Sequence, residues 1–427
     1  MRLWSRTGIG YARCSREEPH WAALGAEVAV KLFQLAFAYL RHRPLNTFLN
    51  VILLALGVAM IVVLLLFSAQ MEDRLTRDSR GIDMVIGAKG SPLQLILSSI
   101  YQIDMPTGNI LLADAKKLIG HPMIKTIVPL ALGDAFRGFR IVGTEHSYLK
   151  LYDAKLAQGE LWSKPLDAAL GATAAKKTGL KLGDTFTGSH GLGAGGGEHE
   201  AAPFKVVGIL AETGSVADRL VLTGINSVWK MHEHHAENET HAESDEGKEV
   251  TSLLIQYRTP LAGASLPREI NSQSAMQAAS PAFETARLLS LVGFGVDTLR
   301  AFAIVLMASA LLSMFIALTN TLDERRYDLA IMRTLGAGNG WLFALVLLQG
   351  VLLAGLGALI GIALGHLAAQ LLGMWFNITQ QMAFTGLTWV KEEFWLIAVA
   401  IGVGIIAAIL PALRAYRTDI ASTLAKE

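Results

Sequence analysis

The chain has 427 residues, of which 52% are hydrophobic and only 17% charged, and its mean hydropathy is positive. A soluble protein of this length is rarely so apolar, so insertion in a membrane is the default expectation. A formal net charge of +1 gives no case for nucleic-acid binding. The single cysteine, Cys14, excludes an intrachain disulfide and a cysteine-rich metal site.

Residues 1–20 are basic and polar and lack the apolar core of a cleavable leader, so they read as an N-terminal extension. In residues 21–46 the pattern changes. Val28, Leu32, Leu35 and Tyr39 recur at helical spacing, Phe33, Phe37 and Leu40 widen the stripe, and Pro44 follows Arg41 and Arg43 as a break. This predicts an amphipathic helix lying on the membrane surface. An extension of the first span is the alternative.

Four stretches are long and apolar enough to cross a bilayer: 47–67, 298–320, 341–372 and 394–413. Arg41 and Arg43 before the first, against the mixed signs of Glu72–Arg77 after it, place the N-terminus inside. The 321–340 loop and the 414–427 tail are then cytosolic, which agrees with Arg325, Arg326, Arg333, Arg414 and Arg417 beside the membrane. Residues 373–393 form a short outer loop, and 68–285 must be extracytoplasmic. The predicted class is an α-helical membrane protein with four transmembrane helices and a large α+β extracytoplasmic domain between the first and second.

Within 68–285, Ile82–Gly87, Ile124–Val128, Phe139–Val142, Phe204–Leu210 and Leu253–Tyr257 read as strands, several bounded by Gly or Pro. Asp167–Gly179 reads as a helix closed by Gly179. Residues 266–297 look helical, with 286–320 forming a stalk and the second span. Gly87, Lys89 and Gly90 lack the spacing of a phosphate loop, so that stretch reads as a strand and a tight turn.

Six of the eleven histidines, His190, His199, His232, His234, His235 and His241, fall in or beside two polar loops, 188–202 and 231–248. Histidines mixed with carboxylates have the composition that recruits Zn²⁺ or a similar ion. Their spacing matches no closed structural site, so an acidic insertion with incidental histidines stands beside a metal-binding loop. In the third span, Gly357, Gly361 and Gly365 form a small-residue stripe suited to close helix packing. Gln349 and His366 are polar groups at membrane depth, and His366 reads as a satisfied interfacial histidine.

Between the second and third spans lies Asp323–Ala337, a short helical segment of both charge signs with a few apolar anchors, stopped by Gly336 and Gly338. A loop this short cannot fold alone and must lie at the membrane surface. The run Glu324-Arg-Arg-x-Asp-Leu-Ala-Ile-Met-Arg-Thr-Leu-Gly-Ala337 resembles the coupling segment of the MacB/FtsX-type ABC transporter permeases. The stretches Ala168–Phe186 and Phe204–Leu210 are similar to the periplasmic core domain of MacB-type permeases. Leu410–Ile420 is similar to that family's closing pattern, with Ile420 in place of a proline. Gln349 stands where family members often carry an acidic residue.

The resemblance implies a permease subunit of a mechanotransmission-type ABC transporter in a bacterial inner membrane, with both termini cytosolic and the large domain periplasmic. It implies that Glu324, Arg325, Arg326, Asp328, Arg333, Leu335 and Gly336 couple to a cytosolic ABC ATPase dimer. This chain has no Walker A sequence and no arguable catalytic constellation, so it is not expected to be an enzyme. ATP and Mg belong to the partner, and no cofactor is expected here beyond Zn at the His-rich loop. A second permease copy, identical or paralogous, and a periplasmic or outer-membrane component are the other expected partners. The expected substrate is an amphiphile: a lipoprotein, a lipid or a peptide. The alternatives are an ATP-driven regulator of a periplasmic murein hydrolase and a metal-linked system using the histidines.

Overall fold

The structure, a computed structural model, describes residues 20–190, 203–233, 247–379 and 384–417. Helix α1 (His20–His42) is followed by α2 (Pro44–Asp78), with the break at Arg43 just before Pro44. Proline at the first helical position starts a helix readily, because its missing N–H would have no partner within the helix there. Next come β1 (Met84–Ala88), α3 (Pro92–Ser99), β2 (Ile110–Leu111), α4 (Leu112–Lys116), β3 (Ile124–Phe136), β4 (Phe139–Thr144), α5 (Ser147–Leu151) and β5 (Leu156–Gly159). They are followed by β6 (Asp167–Leu170), α6 (Ala172–Thr178), β7 (Thr185–Phe186), β8 (Ser189–His190), β9 (Phe204–Leu210), β10 (Val221–Gly224) and α7 (Ile225–Glu233). After β11 (Glu249–Val250), β12 (Ser252–Tyr257), α8 (Ala262–Gln273) and β13 (Met276–Ala279), the chain is helical: α9 (Pro281–Glu324), α10 (Arg326–Thr334), α11 (Asn339–Thr379) and α12 (Glu393–Tyr416).

Two units divide these elements: 1–66, 298–377 and 383–427 form one, and 67–297 with 378–382 the other. The first is a helical bundle. Among the described residues four helices, α2, α9, α11 and α12, are long and apolar enough to cross a membrane. Leu54, Val58 and Val62 of α2, Ala310 and Met314 of α9, Ala354 and Ala358 of α11, and Ala400 and Ala407 of α12 form its interior. Small residues decide how closely the helices approach. A Cβ built on Gly361 would lie 2.7 Å from Val58 Cβ and 2.8 Å from Ala55 O, and one on Gly365 2.7 Å from Val62 Cβ. Gly357 meets Leu54 in the same way, so all three glycines of the stripe face α2. On another side of α11, Gly350 crosses Gly404 of α12, where a Cβ on either would come within 2.7 Å of the other's carbonyl oxygen.

The other unit is built on one large sheet in the order β13-β1-β12-β3-β4-β10-β6-β9-β5, with β7 beside β9 and β8 beside β3. Most neighbours are antiparallel, but β10 runs parallel to β4 and β9 to β6. Residues alternate between two faces, as the pleat requires. Val85, Val128, Leu130, Val142, Leu222 and Leu254 point to one side, where Leu95 and Ile96 of α3, Leu75 of α2 and Leu288 and Leu289 of α9 cover them. Met84, Ile86, Leu253 and Ile255 point to the other, beneath Leu266 and Ile270 of α8. At the β13 edge, Asn271 of α8 accepts from the Ala278 amide at 2.6 Å and donates to its carbonyl at 3.2 Å.

Buried polar contacts fix the ends of α2 and α9 inside this unit. Asp78, 2% exposed, pairs with Arg219 at 3.2 Å, and the Tyr152 hydroxyl donates to the Asp78 carbonyl. Burial pulls the Arg219 guanidinium down from its ordinary value, and the Asp78 carboxylate opposes that shift. Tyr101 Oη lies 2.6 Å from Thr285 Oγ1 of α9. Arg140 donates to the carbonyls of Ser98 and Asp104 and so holds the turn after α3. Burial lowers its guanidinium to about 10.

Two expectations need correction. Asp167–Gly179 is not one helix: Asp167–Leu170 is a strand lying between β9 and β10, and only Ala172–Thr178 is helical, closed by Gly179 at φ +74°. Residues 266–297 are not continuously helical either, because β13 separates α8 from α9. The element boundaries also differ from those expected, with α9 reaching back to Pro281 and α11 running on to Thr379.

Candidate functional site

The segment between the second and third long helices is a distinct element at one end of the bundle. Helix α9 ends at Glu324, and after a break at Arg325, α10 runs from Arg326 to Thr334. Its C-terminus is closed by two backbone bonds, Ala337 N to Met332 O and Gly336 N to Arg333 O, with Gly336 at φ +104°. That pair of bonds around a left-handed glycine satisfies carbonyls that the last turn would leave open.

Helical periodicity gives α10 two faces. Leu329 and Ala330 are buried, and Leu329, with half-buried Met332, packs among Leu342 and Val346 of α11 and Ala412 and Ala415 of α12. The opposite face carries Tyr327, Ile331 and Leu335 at four-residue intervals, 50%, 38% and 82% exposed. Three apolar side chains in line on a helix end fixed from behind form a ridge.

The charges expected in this segment divide into groups. Glu324 forms an ion pair with Arg43, just before α2, and the Arg325 guanidinium lies 3.9 Å from the centroid of the Tyr39 ring of α1. Arg326 pairs locally with Asp323 at 2.7 Å. Asp328 is exposed beside the ridge, and Arg333 is half-buried. Glu324 and Arg325 therefore bind the segment to the α1–α2 junction, while Tyr327, Ile331 and Leu335 face outward. Tyr39 and Arg43 were not singled out as partners from sequence, because nearly three hundred residues separate them from the segment.

At the far end of α11 a second polar cluster is built around His366. Its Nδ1 lies 2.6 Å from Gly386 O and its Nε2 2.9 Å from Glu393 Oε2. A carbonyl only accepts, so Nδ1 donates to Gly386 O. Glu393 Oε1 accepts from Val390 N, and Gln370 Oε1 accepts from Gly386 N and Thr385 Oγ1. The expected satisfied histidine is present, with a buried carboxylate that sequence did not pair with it.

Of the candidate metal ligands, His190 lies in β8 and His232 in α7, whereas His199, His234, His235 and His241 fall outside the described residues. Among the described residues no group of three or more His, Cys, Asp or Glu side chains is placed to hold a metal ion.

Four long apolar helices, a mixed α/β domain between the first two and a surface helix between the second and third define a multi-pass membrane protein. Residues 47–272 match the family model for the MacB-like periplasmic core domain, and residues 300–420 that for the FtsX-like permease C-terminal region. The chain belongs to the FtsX-like permeases that carry a MacB-like periplasmic core domain. It is similar to an uncharacterized ABC transporter permease protein of Mycobacterium tuberculosis, 26% identical over 412 residues. The match covers 92% of this chain and 45% of that protein, so the chain spans about half the length of its relative.

Proposed function

We propose that this chain is the permease subunit of a mechanotransmission-type ABC transporter in a bacterial inner membrane, driven by a cytosolic ATPase dimer on separate polypeptides. The observation that carries this reading is the two-faced α10, fixed to α11 and α12 by Leu329 and Met332 and presenting Tyr327, Ile331 and Leu335 outward. An apolar ridge on a short, capped surface helix suits the groove of a partner that moves. Both termini lie in the cytosol in this scheme, and ATP and Mg bind the partner.

Closure of the ATPase pushes the ridge, and the push enters α9 through the break at Arg325. Helix α9 has 44 residues, about 66 Å at 1.5 Å each, more than the roughly 30 Å of a hydrocarbon core. The excess reaches the buried contacts of Thr285, Leu288 and Leu289 in the extracytoplasmic domain. A second permease copy pairs with this one, and the two domains open and close on an amphiphile such as a lipoprotein, lipid or peptide. Work done outside the bilayer fits a bundle whose described interior is mainly alanine, leucine and valine.

The test is affinity purification of the tagged permease from crosslinked native membranes, with co-purifying proteins identified by mass spectrometry. Ile331→Asp or Leu335→Asp is expected to reduce recovery of the ABC ATPase roughly tenfold or more, the effect of losing about 1.4 kcal/mol of docking energy. The permease itself should stay at its normal level in the membrane. Undiminished recovery of the ATPase with both variants would refute the docking assignment, and its absence from the wild-type sample would refute the whole scheme. Co-purification of a cell-wall hydrolase would move the reading to a regulator.

A further inference from the structure

Beside the Arg43–Glu324 pair the bundle contains a small cavity, apolar over most of its lining but holding several polar side chains. It opens between α1, the start of α2, the last turns of α9 and the start of α11, and encloses about 30 Å³, room for one or two water-sized groups. Its lining includes Arg43, Thr47, Asn50, Thr321 and Gln349.

The hydrogen-bond inventory of these side chains specifies what they can receive. Thr47 Oγ1 donates to Leu40 O and Thr321 Oγ1 to Ala317 O, each at 2.8 Å, so their protons are committed and only lone pairs remain. Asn50 is 3% exposed, and its Nδ2 donates to Asn46 O at 2.8 Å. Its Oδ1 is buried and has no partner. An acceptor left bare inside a protein costs about 1–3 kcal/mol, so a donor is called for at that position. Gln349, 6% exposed, adds a carboxamide to the same lining. Asn50 Oδ1 and the two threonine oxygens thus offer acceptors, the Gln349 and Asn46 carboxamides carry both kinds of group, and the rim carries a guanidinium. Arg43 gives part of its donor fan to Glu324, and a guanidinium has five N–H groups to share.

A ligand matching both regions has a hydrogen-bond donor at its tip and an anion a few ångströms behind. The cavity lies where α2 begins and α9 ends, the depth at which lipid headgroups meet a spanning helix. We propose that it is a binding site for the headgroup of a donor-bearing phospholipid, ethanolamine or glycerol. The terminal ammonium or hydroxyl bonds Asn50 Oδ1 and the threonine oxygens, and the phosphate lies against Arg43. A choline headgroup has the phosphate but no donor, and its three methyl groups make its tip bulkier. Because Arg43 also holds Glu324, a bound phosphate shares the residue that ties the coupling segment to the α1–α2 junction.

The test needs no ATPase, so its failure is separate from failure of the docking assignment. The full-length permease is delipidated in detergent and titrated with dioleoyl phosphatidylethanolamine, phosphatidylglycerol or phosphatidylcholine, and occupancy is read by native mass spectrometry. The ethanolamine and glycerol lipids are expected to bind about tenfold more tightly than the choline lipid, the size of one well-made hydrogen bond to a buried acceptor. Asn50→Leu should abolish that preference, with thermal unfolding as the check that the variant folds. Arg43→Gln, at the half-exposed rim, should weaken all three lipids together. Equal binding of the three lipids, a preference surviving Asn50→Leu, or no saturable lipid binding would each overturn the proposal. Equal occupancy by soluble glycerophosphoethanolamine would overturn the membrane as the source.

Discussion

Glycine positions in α11 show how single atoms set the bundle. Gly361 leaves no space for a side chain, because Val58 Cβ and Ala55 O lie within 2.8 Å of where its Cβ would be, whereas Gly355 on the same helix has nothing within 4 Å. Gly361→Leu is expected to force α2 and α11 apart and cost about 1–3 kcal/mol, as overpacking does. Gly355→Ala should be neutral or stabilising by up to about 1 kcal/mol, since alanine is the better helix former. Thermal unfolding of the two variants in detergent separates these outcomes, and equal melting temperatures would refute the packing assignment.

At the scale of elements, the proposed coupling segment joins several others. Its charges hold α1 and the start of α2, and its apolar underside holds α11 and α12. The Arg43–Glu324 pair is partly exposed, 37% and 50%, so about 1 kcal/mol is the most it is expected to contribute. Glu324→Arg should lower permease-stimulated ATP hydrolysis severalfold, and the exchange Arg43→Glu with Glu324→Arg should restore most of it. A double exchange no better than the single one would separate this pair from coupling. The two faces of α10 follow from local periodicity, and its end was legible in Gly336. The partners of Glu324, Arg325 and His366 were not, because only the packed bundle brings them close. The strand Asp167–Leu170 was missed for a related reason. Its Asp-Ala-Ala-Leu sequence has helical preference, and its extended form depends on ladders to β9 and β10. The strands with dense branched residues, such as Phe204–Leu210, carried their own signal.

For the whole molecule, orientation is the property on which the proposed scheme depends. In a cysteine-free background made with Cys14→Ser, Lys181→Cys in the large domain should react with an impermeant maleimide in spheroplasts. Thr334→Cys on α10 should react only after the membrane is opened. Both side chains are exposed, so access to the reagent decides the result. The reverse pattern would invert the scheme and put the ridge out of reach of any cytosolic ATPase. Composition and hydropathy alone announced a membrane protein, and the four apolar stretches gave the frame. The order of the large sheet, with two parallel pairs inside an otherwise antiparallel array, depends on contacts between distant strands that no local pattern encodes.

The amide pairing of Asn271 with the backbone of Ala278 has a consequence for how these domains share a crowded compartment. A bare outermost strand is a template for sheet growth from one molecule to the next. Here a side chain of the same domain already holds both polar groups of the residue in the middle of that strand. Any incoming strand must first displace two hydrogen bonds at that position. The domain thus carries its own stopper against polymerisation at that end, while at the opposite end the β5 edge, exposed along all four residues, has no such plug among the described residues.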